Sequence, residues 1–269
     1  MMRTADTMVV ATLVAALVSG CAREREPAPA ELNDILLSTF GDYDLALERV
    51  GHAAALSGWL QTDGRSDEAW EGLRVANLTL DEVGDLVSAD TPLVEHRGVA
   101  TAFQSAFSPE DHAALAALPD QRWTDPSFER YDREVLGGDP EAFRWGEGFL
   151  STYNYIEKSG AFGIMIPYEL RKDYTWTATE EGELVMMSRW WLERPGCSDN
   201  GKNCVLQSFG LDVFVPRPEG AQRLLVNWIQ TQTEADAFLS EDQMIGFIAS
   251  GNQDLLEATD EELAARGGR

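Results

Sequence analysis

The sequence predicts an α+β protein, with an α-helical N-terminal half followed by an antiparallel β-meander that is closed by a long C-terminal helix. From about residue 31 to residue 158, apolar residues recur at helical spacing. After Gly160 the pattern changes to short segments that are rich in β-branched and aromatic residues and separated by turn residues. Helical spacing returns after Ser240. Helices, then a run of strands, then a final helix are typical of the α+β class.

The helical half contains several predicted helix starts. Thr79 is followed three residues later by a glutamate, as in a capping box, and Ser108 precedes Pro109, as at an N-cap. The pair Asp139-Pro140 predicts another start. The apolar residues expected to face inward are Ile35, Leu36, Phe40, Leu47, Val50, Ala54 and Trp59, then Val99, Phe103 and Phe107, and finally Phe143, Phe149, Tyr153 and Ile156.

The second half is predicted to form five strands, at residues 161–168, 173–179, 183–194, 204–215 and 222–232. The connections between them are short, which favours neighbouring antiparallel strands. A sheet closed by a long helix is similar in outline to helix-grip, START-like ligand-binding domains, although no motif supports this likeness. Because no flexible linker lies between residues 150 and 165, we expect the helical region 31–158 and the sheet region 159–269 to pack as one unit.

The first 21 residues have the pattern of an export signal. Arg3 precedes an apolar run from Met8 to Val18, and small residues then lead to Cys21. As a helix this run would span only ~16 Å, about half of the ~30 Å hydrocarbon core, so it is too short for a stable membrane anchor. The sequence Val18-Ser19-Gly20-Cys21 resembles the lipobox of bacterial lipoproteins. The alternative is an ordinary secreted protein that is cut near Gly20.

The lipobox resemblance implies a location. It implies that residues 1–20 are removed and that Cys21 receives acyl chains such as palmitate, which attach the protein to a membrane of the bacterial cell envelope. Residues 21–30 would then form a short tether, since their mixed charges, prolines and alanines favour extended chain. Ala22 stands where an aspartate would retain the protein at the inner membrane, so the resemblance implies the outer membrane if the organism is Gram-negative.

Two further cysteines predict a disulfide. Cys197 and Cys204 flank a turn that contains Asn200-Gly201, a strong hairpin signal. In an exported protein such a pair favours a disulfide, which would contribute ~2.5 kcal/mol in the chain-entropy model. A metal pair is the less favoured alternative, because two cysteines without a nearby histidine leave a tetrahedral zinc site half empty. With Cys21 lipidated, no free thiol would remain for nucleophilic catalysis.

Composition narrows the classes of function. With 46 acidic and 21 basic residues the formal net charge is −25, which excludes a non-specific nucleic-acid binder held by phosphate neutralisation. No phosphate loop, dinucleotide fingerprint, nucleophile-elbow serine or zinc-protease motif occurs, so no cofactor or metal is predicted. His52, His96 and His112 lie near acidic residues and are candidate general bases, although surface or packing roles are favoured in a helical context.

The segment 183–194 is the main indication of a ligand site. Its alternating positions place apolar residues on both sides of a strand, so the strand must be covered on both faces or must line an apolar cavity. Arg189 and Glu193 share one face, either as a rim salt bridge or as the polar contacts of a ligand. The candidate pocket residues are Met187, Arg189, Trp190, Trp191 and Glu193, with Trp176 and Trp228 from nearby strands. The alternative is that helices cover both faces and all of these residues are core.

Three hypotheses of function follow. The first is a membrane-anchored exported lipoprotein with a non-catalytic binding or envelope-interaction domain, holding an apolar ligand between the sheet and the terminal helix. The second is an envelope hydrolase that uses a histidine or carboxylate base; it requires a histidine within hydrogen-bond reach of both a carboxylate and a nucleophile inside a cleft. The third is an acidic module that binds a basic envelope protein.

Overall fold

The computed structural model describes residues 27–62, 70–87, 93, 96–159, 165–233 and 239–267. The predicted signal, with its cleavage site between Gly20 and Cys21, lies outside the described residues, as does most of the tether.

The helices and strands follow one another along the chain in a mixed order. They are α1 (Ala30–Gly41), α2 (Ala46–Thr62), β1 (Trp70–Val75), α3 (Leu80–Val83), β2 (Arg97–Ser105), α4 (Pro109–Ala116), β3 (Phe128–Gly138), α5 (Pro140–Phe143), β4 (Phe149–Ser159), β5 (Met165–Ala178), β6 (Leu184–Arg194), β7 (Gly196–Cys197), β8 (Cys204–Arg217), β9 (Gly220–Gln232) and α6 (Glu241–Arg266). Short 3₁₀ turns lie at Gly84–Leu86 and Arg122–Thr124.

The strands form one antiparallel sheet in the order β1-β2-β9-β8-β6-β5-β4-β3, with β7 pairing beside β8. The predicted meander is confirmed, because β5, β6, β8 and β9 follow one another as neighbours. It extends further than predicted, since β3 and β4 continue it at one end. At the other end β2 pairs with the last strand, β9. The α+β class, the large antiparallel sheet and the long C-terminal helix are therefore all present.

The prediction of a helical N-terminal half is only partly correct. The structure has α1, α2 and short helices there, but the segment of Val99 and Phe103 is β2, and the segment of Phe149, Tyr153 and Ile156 is β4. The reason lies in the spacing, because residues four apart share a face on a helix and also on a strand. The predicted strands 161–168 and 173–179 belong to a single strand, β5, from Met165 onwards. The predicted helix starts at Thr79, Ser108 and Asp139 are confirmed as N-caps, and Ser240 caps the last helix.

The outer face of the sheet is covered by α1 and α2. Both helices place buried apolar side chains against the central strands, and together they make one continuous core. Phe40 is central, with its ring centroid 5.9 Å from that of Phe209 and 5.7 Å from that of Trp228. Other members of this core are Leu32, Leu36, Leu56 and Leu60 from the helices and Val185, Met187, Leu211, Val213, Leu224 and Val226 from the sheet.

The inner face carries α6 on one side. This helix packs on β2, where Val99 contacts Ile245 and Ala249. Its Asn252 Nδ2 donates to Val99 O at 3.4 Å and to Thr101 Oγ1 at 3.2 Å, so the helix is fixed over the β2–β9 side of the sheet. None of the helices among the described residues is long and apolar enough to cross a membrane.

Candidate ligand-binding cavity

A cavity of about 720 Å³ lies between the inner face of the sheet and α6. This volume is in the range of small-molecule sites, which are mostly apolar with a few polar groups. The sheet contributes, among others, Ile156, Leu170, Lys172, Tyr174, Ser188, Trp190, Leu192, Val205, Asp212, Phe214, Arg223, Leu225, Asn227 and Ile229. The helix α6 contributes Met244, Phe247, Ile248, Leu255, Ala258 and Thr259, and the segment around α4 contributes His112, Leu115 and Trp123.

Strand alternation decides which residues reach this cavity. In β6 the residues Ser188, Trp190 and Leu192 line it, whereas Met187 and Trp191 at the alternate positions pack in or against the outer core. The register carries this alternation across the sheet, because Trp190 pairs with Lys172 of β5. The sequence leaves two alternatives for β6, coverage of both faces or an apolar cavity. In the structure one face is dry core and the other lines the cavity.

One end of the cavity is apolar. Ile156, Leu170 and Leu192 are buried together on three different strands and form the base of this end. Partly buried neighbours complete it, namely Phe128, Tyr131, Tyr168, Trp190 and Val205. Burial raises the pKa of both Tyr131 and Tyr168 well above the usual value, so both remain neutral hydroxyls. This end is therefore suited to a hydrocarbon group.

Trp190 lies flat on the sheet because the facing residue of β8 is Gly210. A Cβ at Gly210 would stand 1.8 Å from the indole ring, so only glycine leaves room for it. The Lys172 Nζ lies 5.7 Å from the centroid of the same ring, within the range of a cation–π contact. The Trp190 ring thus forms a flat aromatic part of the cavity wall, and the Lys172 ammonium group lies beside it.

A buried ion pair stands nearer the opposite end. Arg223 of β9 donates to Asp212 of β8 through Nη2 at 2.6 Å and through Nε at 3.0 Å, and the two side chains are 6% and 9% exposed. Its Nη1 donates to Thr259 Oγ1 of α6 at 3.0 Å, and its guanidinium lies 4.8 Å from the Phe214 ring centroid. The two charges of this ion pair neutralise each other. The hydrogen bond from Arg223 to Thr259 also connects the sheet to α6.

His112 lies beside Ser105 and Asp260 in an order that does not suit nucleophilic catalysis. Its Nε2 is 2.9 Å from Ser105 Oγ, and that hydroxyl donates to Asp260 Oδ1 at 2.7 Å while accepting from Phe107 N at 3.1 Å. The serine proton therefore points to the carboxylate, and His112 Nε2 acts as a donor. Burial, and secondarily the charge of Arg223, hold the pKa of His112 well below its usual value, so the ring is neutral.

The hydrolase hypothesis needs a different arrangement. The Asp260 carboxylate is 3.9 Å from His112 Nε2, beyond hydrogen-bond reach, and Ser105 is completely buried. His52 Nε2 lies 3.2 Å from Asp42 Oδ2, and His96 Nε2 accepts from Leu78 N at 3.0 Å. In the described part of the chain, no group of three or more histidine, cysteine, aspartate or glutamate residues could hold a metal ion.

Of the seven predicted pocket residues, only Trp190 lines the cavity. Met187, Trp191 and Trp228 belong to or pack against the outer core under α1 and α2. Trp176 is on the inner face but lies beyond the cavity, where its Nε1 donates to Phe143 O at 2.8 Å. The sequence pattern predicts candidates on both faces of β6. In the structure the face with Met187 and Trp191 is dry core, and the face with Trp190 lines the cavity.

The two predicted polar contacts also lie outside the cavity. Arg189 is buried on the outer face, where its Nη2 donates to Asp44 Oδ2 at 2.8 Å and its guanidinium lies 4.6 Å from the Tyr43 ring centroid. Glu193 pairs with Arg171 Nη1 at 3.2 Å on the same face. The predicted rim salt bridge between Arg189 and Glu193 does not form, because each meets a different strand or helix.

The predicted Cys197–Cys204 disulfide is confirmed. The two cysteines pair directly across β7 and β8, and Gly201 in the turn between them has φ 68°, a conformation that favours glycine.

Sequence reasoning missed the polar cavity residues Asp212, Arg223 and Lys172. A signal exists for two of them, because Asp212 interrupts the apolar run of β8 and Arg223 directly precedes the apolar run of β9. Lys172 stands between Arg171 and Asp173, so the sequence gives no such signal for it.

No protein-family model and no curated protein matches the sequence. Among solved structures, the chain is similar to a protein from Thermus thermophilus (18% identity, TM-score 0.41), covering 63% of this chain and 98% of that one. It is also similar to a STAR-related lipid transfer protein from Xanthomonas axonopodis (12% identity, TM-score 0.43, covering 66% and 90%). A START superfamily protein from Mycobacterium smegmatis shows 10% identity and a TM-score of 0.36, covering 64% and 99%. These are likenesses of overall arrangement, so the ligand chemistry has to come from the cavity's own residues.

Proposed function

We propose that the mature chain is a lipid-anchored binding protein of the bacterial cell envelope that holds a largely apolar small molecule between its sheet and α6. The observation that carries the binding proposal is the cavity of about 720 Å³, with an apolar end and a few placed polar groups. A dry core at this position would need side chains filling that volume, as they do on the outer face.

The location rests on separate observations. The lipobox-type sequence ending at Cys21 supports a lipid anchor. The Cys197–Cys204 disulfide supports an oxidising compartment, because disulfides persist mainly outside the cytoplasm. An acidic surface that binds a basic envelope protein remains a prediction beside this proposal.

The binding proposal is tested by filling the cavity from α6. Ala258 lines the cavity, whereas Ser250 lies on the exposed side of the same helix. We expect Ala258→Trp to weaken binding of Nile red, a neutral apolar fluorophore, by at least about tenfold, because the indole would occupy ligand volume. Ser250→Trp, which adds the same side chain outside the cavity, should bind as the unchanged protein does.

Two results would decide against the binding proposal. One is equal Nile red affinity in the two tryptophan variants, both shown to be folded by circular dichroism. The other is native mass spectrometry of the protein from its own envelope showing no bound mass, together with no Nile red binding.

The anchor is tested in a bacterium fed an alkyne analogue of palmitate. We expect the full chain to be labelled and to sediment with membranes, and Cys21→Ala to be unlabelled. An unlabelled wild-type chain would contradict the lipid anchor while leaving the cavity proposal untouched.

A further inference from the structure

The balance of charged residues in the cavity wall differs from that of the whole chain. The protein as a whole carries a formal charge of −25. The cavity wall instead includes four basic residues, Arg97, Lys158, Lys172 and Arg223, and three acidic residues, Asp125, Asp212 and Asp254. The interior surface is therefore slightly positive in a strongly negative protein.

Two ion pairs within the wall leave Lys172, Arg97 and Asp254 outside them. Lys158 Nζ binds Asp125 Oδ2 at 2.6 Å, and Arg223 binds Asp212, so two of the basic residues are neutralised. Lys172 contacts the Trp190 ring, and no carboxylate of the described residues lies within ion-pair distance of its Nζ. The next residue along the chain, Asp173, is on the outer face, where it accepts from Ser151 Oγ at 2.6 Å.

Lys172 also stands at the border of the apolar end. On β5 it lies two residues from Leu170, which belongs to the buried apolar cluster, and its cross-strand neighbour Trp190 packs against that cluster. An amphiphile could place its head group at Lys172 and its hydrocarbon chain along Leu170, Leu192 and Ile156. Both the sign of the head group and the direction of the chain follow from this placement.

We propose that the ligand is an amphiphile with an anionic head group, a carboxylate or a phosphate, and that the Lys172 ammonium pairs with this head group. This inference rests on the proposed binding function. A charge-assisted contact with an ammonium, partly shielded from water, favours the anion over a neutral group of the same size. The tail adds the hydrophobic contribution in proportion to the apolar area it buries.

The experiment compares four probes with one hydrocarbon tail, which are oleate, monooleyl phosphate, oleyl alcohol and oleylamine. Each is titrated against the folded mature protein by displacement of Nile red. We expect at least one of the two anions to bind about tenfold more tightly than the alcohol, and the amine to bind most weakly. The anion that binds more tightly identifies the head group. Equal affinity for both anions means that the cavity recognises the negative charge and does not distinguish a carboxylate from a phosphate.

Lys172→Met keeps most of the side-chain volume and removes the charge. We expect it to abolish the preference for the anion while leaving the affinity for oleyl alcohol within about twofold. The matched control is Lys202→Met, which removes the same charge from the exposed turn between the two cysteines and should keep the preference. Thermal unfolding of both variants verifies that they are folded.

Each failure has its own meaning. If the alcohol or the amine binds as tightly as both anions, or if Lys172→Met weakens the alcohol as much as the anion, the anionic head group is overturned and the apolar cavity stands. If none of the four probes displaces Nile red and Nile red itself does not bind in the cavity, the proposed function fails as well.

Discussion

The two faces of the sheet differ in what covers them. On the outer face α1 and α2 press apolar side chains against the strands until the space is filled, and the buried Arg189 there reaches out to Asp44. On the inner face α6 covers only the β2–β9 side, and the wall keeps a buried ion pair and the ammonium of Lys172 beside an indole ring. The same strands thus carry a filled core on one face and the wall of the proposed binding cavity on the other.

Removing a large side chain from the outer core should produce one of the two largest effects on stability. Phe40 is completely buried between Phe209 and Trp228. We expect Phe40→Ala to lower the free energy of unfolding by ~3–5 kcal/mol, through lost burial and the cavity left behind. Urea unfolding measures this loss, and Nile red affinity of the folded fraction should not change. A drop in that affinity would show that the two faces are not independent.

The two buried arginines Arg223 and Arg189 should differ in the cost of their removal. Arg223→Met leaves Asp212 buried without its cation, so we expect a loss of ~3–5 kcal/mol. Arg189→Met leaves Asp44, whose side chain is 74% exposed and stays hydrated, so the loss should be only ~1–2 kcal/mol. Urea unfolding of the two variants side by side tests this. Equal losses of stability would mean that Asp212 without its arginine costs no more free energy than Asp44 without its arginine.

The last effect appears only when the pH is lowered, and it concerns the contribution of His112 to stability. Because its pKa is lowered in the folded state, the unfolded chain takes up a proton near pH ~6.5 that the folded chain does not. Stability is therefore complete above that pH and falls as the pH drops below it, by up to ~1.4 kcal/mol per pH unit, until the folded pKa is reached.

His112→Gln isolates this contribution, since its amide nitrogen can still donate to Ser105. We expect urea unfolding between about pH 7.5 and pH 5 to show a shallower pH dependence in the variant. Burial raises the pKa of Asp260, which acts in both proteins, so the difference between their slopes belongs to His112. An identical pH dependence of the unfolding free energy in the two proteins would mean that a group other than His112 takes up the proton on unfolding.

Sequence alone was sufficient for β6, β8 and β9 because their residues are β-branched or aromatic and their turns are short, whereas it divided β5 into two strands. It was not sufficient for β2 and β4, since Val99–Phe103 and Phe149–Tyr153 are spaced four apart, and such a spacing fits both a helix and a strand. For β2 the pairing with β9, which lies far away along the chain, resolves that ambiguity, and for β4 the pairing with β3 and β5 does so.

The site was predictable in part for a similar reason. Alternation places Trp190 and Trp191 on opposite faces of β6, and this is visible in the sequence. Which of the two faces meets a filled core depends on where α1 and α6 pack, and those contacts are long-range. The better local signal was polarity, because Ser188 and Asp212 lie on the same face as Trp190.

The Cys197–Cys204 bond has a consequence for strand register. It joins the short connection after β6 to the first residue of β8, so it limits sliding between two strands that each carry core residues on one face and cavity residues on the other. A slip of β6 by a single residue would turn the Arg189 guanidinium into the cavity and drive the Trp190 indole into the helices outside. In such a two-sided sheet, a covalent link that keeps the strands in register preserves the cavity wall and the core together.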